Sequence, residues 1–415
     1  MRDRYAEYKD SGLEWIGEIP AHWKTMRFKF IAQLINDKSI HDGKKYIGME
    51  NIESWTGKYL DMGEFVPESL CNNFCKGDIL FGKLRPYLAK AYIAEENGTC
   101  SSEILVFRTS SILRRYLFYL LLSFGFIEHI NSSTYGAKMP RANWDFIGKC
   151  YIPIPPQDEQ NVIVEFLDNK LHKLDHLINE RTDQFSMLTR YKRELIAKCV
   201  TKGLDKSAPM KPSCEDWIGD VPTHWQIVPL RAFLKPNNRK NPGGLPLLSV
   251  ERERGVVNRE TDGSPDNHNR VPDDLSNYKM VNGGQFVMNK MKAWQGSYGV
   301  APCAGIVSPA YYVYDLVFEN KEFFNYAIRS KCYVGFLGRD SYGIRIDQWD
   351  FKAERIKHIP FVVPTVEEQQ EIVNYLSKQE SKINSLQANI EAQIQKLKDY
   401  RRILIHDAVT GKIKI

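Results

Sequence analysis

The sequence predicts an α+β protein in which two globular domains of similar fold are separated by two long helices forming a coiled coil, with an internal pseudo-twofold repeat. Residues 155–201 return without a gap, 209 positions later, as residues 364–410, so that Glu159-Gln160, Ile163-Val164, Leu167 and Tyr191 are matched by Glu368-Gln369, Ile372-Val373, Leu376 and Tyr400. A second segment, residues 14–23 (EWIGEIPAHW), returns after 202 positions as residues 216–225 (DWIGDVPTHW). Between these repeats lie short apolar runs followed by one longer apolar run, the pattern of strands and then a helix. The resulting division is a lead-in at 1–23, a globular domain at 24–150, a long helix at 155–201, a linker with the repeated lead-in at 202–225, a second globular domain at 226–357 and a second long helix at 364–410.

In the first long helix Leu167, Leu171, Leu174, Ile178, Phe185, Leu188 and Leu195 step by threes and fours, which lays one apolar stripe along a helix. Ile372, Leu376, Ile383, Ile390, Ile394, Leu397 and Leu404 form the same stripe in the second. Pro155-Pro156 marks the first start, Thr365 with Glu368 forms a capping box at the second, and Gly203 and Gly411 mark the stops. At 1.5 Å per residue each helix runs about 65 Å.

The lead-ins carry Trp15, Ile16, Ile19 and Trp23, and Trp217, Ile218, Val221 and Trp225, too apolar to be solvated together and therefore expected to dock. His22 and His224 have no neighbouring nucleophile or acid in the sequence and are expected to be half-buried and satisfied by backbone. The first globular segment reads as strands at 45–52, 78–81, 90–93 and 103–107 and one buried helix from 112 to 130; in the second, residues 284–292 align with 77–85 at an offset of 207, followed by a helix at 321–337. The stretch 251–282, with Arg252, Arg254, Arg259 and Arg270, has no likeness to 53–76, so one scaffold is expected to carry two different surfaces.

The net charge of +6 sits in the globular parts. Residues 24–150 hold 17 Lys and Arg against 13 Asp and Glu, and residues 226–357 hold 19 against 14, the distribution expected of a polyanion-binding protein. The longest apolar run, residues 116–127, is too short to cross a bilayer, so no membrane association is expected. The opening residues, MRDRYAEYKD, lack a signal-peptide core, which predicts a cytoplasmic protein with its eight cysteines reduced.

Catalytic patterns do not emerge. The sequence has no G-x-x-x-x-G-K-[ST], G-x-G-x-x-G or G-x-S-x-G element, and Cys71 and Cys75 have no second pair to complete a zinc site. His172 and His176, four apart on a helix, are matched by Ser381 and Ser385 and read as a solvated face, while Asp350-Phe-Lys352 reads as structural. The candidate contacts are cations beside glycine-containing turns: Lys83, Arg85, Tyr135, Lys138 and Arg141 in the first half, and Lys290, Lys292, Tyr342 and Arg345 in the second. A coiled-coil adaptor binding protein partners through two α+β heads is the alternative, but it does not require basic heads.

The lead-in EWIGEIPAHW, the segment GDILFGKLRP at 77–86 and IPIPPQDEQ at 152–160 before a long helix together resemble the specificity subunits of type I restriction-modification systems, over nearly the whole chain. The resemblance implies target-recognition domains at opposite ends of an antiparallel helix pair, each reading one half of an asymmetric, interrupted duplex DNA site. It implies two methyltransferase subunits that bring S-adenosylmethionine to adenine, and restriction subunits that use ATP and Mg2+. This chain then supplies no catalysis and no cofactor of its own.

Overall fold

The computed structural model describes residues 4–41, 43–63, 67–134, 139–259, 272, 274–339, 341, 349, 351–356 and 358–415. The chain divides into two compact units, Met1–Asp183 with Ile390–Ile415, and Gln184–Asn389. The long helices Gln157–Lys202 and Val366–Val409 each give one half to each unit.

In the first unit a four-stranded antiparallel sheet runs Gln33–Ile35, Ile104–Arg108, Ile79–Gly82, Ala91–Ile93. A second sheet runs Lys38–Ser39, Cys71–Phe74, Gly98–Cys100, Lys45–Ile47, its last pair parallel. Side chains on a strand alternate between faces, and here both faces are covered. Leu80, Ile104 and Val106 pack with Ile47, Phe74 and Cys100, whereas Ile79, Phe81 and Phe107 pack with the helices. That is why these strands read as continuous apolar runs rather than alternating ones.

The second unit repeats the arrangement, with Leu234–Pro236, Tyr311–Leu316, Phe286–Asn289 and Tyr298–Val300 in the same order. Val287 faces one core while Phe286 and Met288 face the other. Lys279–Val281 pairs with Gly305–Val307, and the hairpin Leu248–Glu251 with Gly255–Asn258 occupies the stretch that diverges between the halves.

Three sequence expectations change. The helix expected over 112–130 is two, Arg114–Leu121 and Phe124–Ser132, because Ser123 is extended (ψ 136) and donates its buried hydroxyl to the Leu120 carbonyl. The helix at 321–337 divides in the same way into Lys321–Ile328 and Lys331–Arg339. The strand expected at 45–52 stops at Ile47 and turns through a 3-10 segment, Met49–Asn51, whose Asn51 side chain accepts the Gly48 N–H.

Tyr151–Ile154, a strand not expected from the sequence, pairs with Lys24–Arg27 and leads through Pro155-Pro156 into the first long helix. Pro360–Val363 does the same with Gln226–Pro229. The capping box forms, with Thr365 N–H on Glu368 and Glu368 N–H on the Thr365 hydroxyl, and both stop glycines are left-handed at φ 72. Leu167, Leu171, Leu174, Ile372, Leu376, Ile383 and Leu404 of the apolar stripes are buried. In the second unit the paired helix segments run antiparallel, Thr189 meeting Gln387 and Lys192 meeting Asn384.

The lead-ins are anchored by one carboxylate each. Trp23 is fully buried and its indole N–H donates to Glu159 at 2.9 Å, joined there by the Tyr5 hydroxyl at 2.9 Å and by the His22 imidazole. In the second unit Trp225 (3.1 Å) and His224 (3.0 Å) converge on Glu368. The histidines are therefore held by a carboxylate from the first turn of a long helix, with their side chains 47% and 46% exposed, and not by backbone as the sequence reading expected. Burial acts to raise the Glu159 pKa, but the donors Trp23, His22 and Tyr5 outweigh it and hold the carboxyl below its usual value; Glu368 is held low in the same way.

His406 is a departure from the repeat, since its counterpart is Ala197. It lies buried against the Phe124 ring at 4.1 Å, and a Cβ at Gly125 would come within 2.6 Å of its Cε1. Burial, then the Lys412 charge, pushes its pKa down to about 4, so the folded state keeps it neutral. As pH falls from about 6.5 towards 4, the unfolded chain takes up this proton and the folded chain does not, so stability is full above that window and declines within it. His406→Ala should flatten the urea-unfolding free energy across the window by about 3 kcal/mol relative to wild type. Parallel pH profiles would remove this role.

Candidate nucleic-acid interface

The strand Ile79–Gly82 delivers the chain to an exposed cationic turn. A Cβ at Gly82 would come within 2.6 Å of the Met49 methyl group, the mobile end of that side chain. Lys83 and Leu84 lead to Arg85, then to a 3-10 segment, Pro86–Leu88, and Ala89. Pro86 and Ala89 are buried and Arg85 and Tyr87 exposed, so the turn is pinned from beneath and shows its cation outward. Arg85 and Ala89 both have left-handed backbone, φ 50 and φ 46. Such geometry costs a non-glycine residue about 1–3 kcal/mol and persists only where the surroundings dictate it.

The surroundings are residues 139–142. Arg85 N–H donates to the Pro140 carbonyl at 2.8 Å, Ala142 N–H donates to the Lys83 carbonyl at 2.8 Å, and Leu84 and Arg141 form a bridge. The structure thus brings Lys83, Arg85 and Arg141 together from positions nearly sixty residues apart. Arg141 directs two donors to Glu103, at 3.0 and 3.1 Å, and so fastens its own loop to the sheet. Tyr135 and Lys138, immediately before this loop, lie outside the described residues.

In the second unit the equivalent strand, Phe286–Asn289, ends in a 3-10 segment, Lys290–Gln295, capped by the Asn289 side chain on Met291 N–H and closed by Gly296 at φ 94. Lys290 is half-buried and Lys292 exposed. Phe351 N–H donates to the Lys290 carbonyl at 3.0 Å, and Trp294 packs on Trp349 at 5.3 Å, so a later stretch is again fastened to the turn. Tyr342, Arg345, Asp350 and Arg270 lie outside the described residues. Arg254 is paired with Glu251 at 2.7 Å, and Arg329 donates to the Arg252 and Glu253 carbonyls, which holds the divergent hairpin in place.

Sequence reading missed Tyr87, Glu103 and Arg329. Tyr87 stands in the same segment as Arg85 and could have been found by exposure at a turn; the other two act through partners 38 and 76 or 77 residues away, for which the sequence carries no local signal. His172 and His176 are exposed, and among the described residues no cluster of His, Cys, Asp and Glu could hold a metal ion. No helix of the described residues is long and apolar enough to cross a membrane.

Residues 20–184, a span that contains the first turn and the loop fastened to it, match the family model described as type I restriction modification DNA specificity domain. The putative type I restriction enzyme MjaX specificity subunit of Methanocaldococcus jannaschii is 25% identical over 96% of this chain and 96% of its own length. The chain is similar to the specificity subunits of type I restriction-modification systems. The type I restriction enzyme EcoDI specificity subunit of Escherichia coli is 28% identical over 43% of this chain, a match that spans 42% of that subunit. A solved structure from work on complex assembly and conformational transition of the type I R-M system shares the fold, with a TM-score of 0.66 at 16% identity over 95% of this chain and 99% of its own.

Proposed function

We propose that this chain reads an asymmetric, interrupted duplex DNA site, one half-site per unit, and supplies address rather than catalysis to a complex. The observation that carries the reading is the repeated cationic turn: Lys83 and Arg85 follow Ile79–Gly82, Lys290 and Lys292 follow Phe286–Asn289, and each turn is fastened by a later stretch of its own unit. Equivalent placement suits the same duplex backbone, and the unlike surroundings suit two different half-sites.

In this reading two methyltransferase subunits, bringing S-adenosylmethionine, and restriction subunits, using ATP and Mg2+, bind the chain in the cytoplasm. Exposed apolar side chains on the long helices support such partners: Leu177, Tyr400 and Ile403 in the first unit, and Met187, Tyr191 and Leu386 in the second. The expected result, with the methyltransferase partner present, is duplex binding that weakens about a thousandfold between 50 and 200 mM salt. Replacing Lys83 and Lys292 by Ala should lower the salt slope by about two without a change in melting temperature. Salt-insensitive or absent binding would refute the assignment.

A further inference from the structure

Among the described residues, non-glycine positive φ is recorded at Trp55 (φ 67), Arg85, Ala89 and Cys214, and the first three form one continuous assembly. The Ala89 carbonyl, at the end of the cationic turn, accepts the Trp55 N–H at 3.0 Å. The Trp55 carbonyl accepts Nη1 of Arg401, on the second long helix, at 2.6 Å. Arg401 also donates Nε to Asp175 at 3.2 Å, and the other oxygen of Asp175 takes the Lys58 ammonium at 2.8 Å. The Arg402 guanidinium lies 4.3 Å over the Trp55 ring. Gly57 completes the loop, where a Cβ would come within 2.4 Å of the Ala91 carbonyl oxygen.

Left-handed backbone turns the Trp55 N–H towards the turn and its carbonyl towards the helix, so this one residue joins the two. The Arg401 side chain is 7% exposed, and its planar fork serves two acceptors at once, which an ammonium cannot do with the same geometry. The repeat shows that pairing the helices does not require this arrangement. The counterparts of Arg401 and Asp175 are Lys192 and Asn384, and the Lys192 ammonium is directed to Asn384 at 3.1 Å and Glu380 at 3.0 Å, both on the facing helix.

We propose that Arg401 and Trp55 are positioning residues for DNA reading, fixing the Arg85–Ala89 turn through the Trp55 backbone so that the half-site read by the first unit depends on them and the other half-site does not. The inference rests on the DNA-reading assignment made above. Strain concentrated on a chain of hydrogen bonds that ends at an exposed cation is what a preorganised contact requires.

The test is adenine-methylation mapping by the complex of the full chain with its methyltransferase partner and S-adenosylmethionine. Arg401→Ala should lose about tenfold in discrimination at one or two base pairs of one half-site while the other half-site stays intact. Arg401→Lys should restore part of it. Trp55→Gly, which keeps the left-handed backbone and both hydrogen bonds, should keep most of it, and Lys192→Ala should leave that half-site untouched. An unchanged site in Arg401→Ala overturns the proposal, as does equal loss at both half-sites in both Arg401 variants, which would mark a scaffold role. Arg85→Ala separates the two levels. If it relaxes the same half-site and Arg401→Ala does not, only the positioning role falls; if it leaves both half-sites intact, the reading assigned to the turn falls with it.

Discussion

On the proposed reading of an interrupted DNA site, inserting one heptad into each long helix, near Arg181 and Ile390, should lengthen the unspecific gap by one to three base pairs or weaken binding. The boundary between the compact units falls at Asp183 and Gln184 in one helix and at Asn389 and Ile390 in the other, so these insertions fall beside that boundary and away from the buried residues of either core. Seven residues preserve the apolar stripe and add about 10 Å to each helix. B-DNA rises about 34 Å per ten base pairs, so the added length corresponds to roughly three. The helical twist of the duplex can carry the second half-site out of reach, which is the route to weakened binding. Methylation mapping of the variant reads the gap directly. A wild-type gap at full activity would show that the helices do not set the spacing.

Glu159→Ala should destabilise the first unit by about 3 kcal/mol, because it strands the buried indole N–H of Trp23 and removes the acceptor of Tyr5 and His22. Glu368→Ala should act on the second unit by a similar mechanism, losing Trp225, His224 and the reciprocal capping bond from Thr365. Both carboxyls are held below their ordinary value of 4.5, so their contribution is present above that pH and is lost as pH falls through the lowered folded value. The stability gap between wild type and Glu159→Ala should therefore narrow as the solution is acidified below about 4.5. A gap of constant size would mean that ionisation of Glu159 contributes nothing. Hydrogen exchange gives the spatial check, with protection lost first in the strands Tyr8–Leu13 and Gly17–Pro20.

The repeat was legible from matched residues, and the strands Ile79–Gly82, Ala91–Ile93 and Ile104–Arg108 because their signals are local, whereas Gln33–Ile35, Cys71–Phe74 and Gly98–Cys100 were not. Ile79-Leu80-Phe81 has apolar side chains for both faces, and a strand buried on both sides must read that way. Tyr151–Ile154 was not legible, since Pro155-Pro156 read as a helix start and the partner strand lies some 125 residues away. The single helix expected at 112–130 failed at Ser123, where a buried hydroxyl on a backbone carbonyl competes with continued helix in a way periodicity cannot register. In the candidate interface, Lys83 and Arg85 were singled out from a glycine-adjacent cationic turn. The bonds to residues 140 and 142 and the carboxylate facing Arg141 depend on chain folding over long separations, and no residue type near Arg85 announces them.

The division of the long helices also sets an order for synthesis. The second unit is one continuous stretch, Gln184–Asn389, so everything its core needs is translated before residues 390–415. The first unit is begun earlier but closed later: Leu404, Ile405, Ala408, Val409 and Ile413 pack in the same core as Trp23, Phe28 and Tyr116. Residues made near the start must wait, with apolar surface uncovered, for residues made some three hundred positions later. A nascent chain of this protein therefore carries its first-made half uncovered for longer, and loss of residues 404–415 should open that half while the later-made half stays folded.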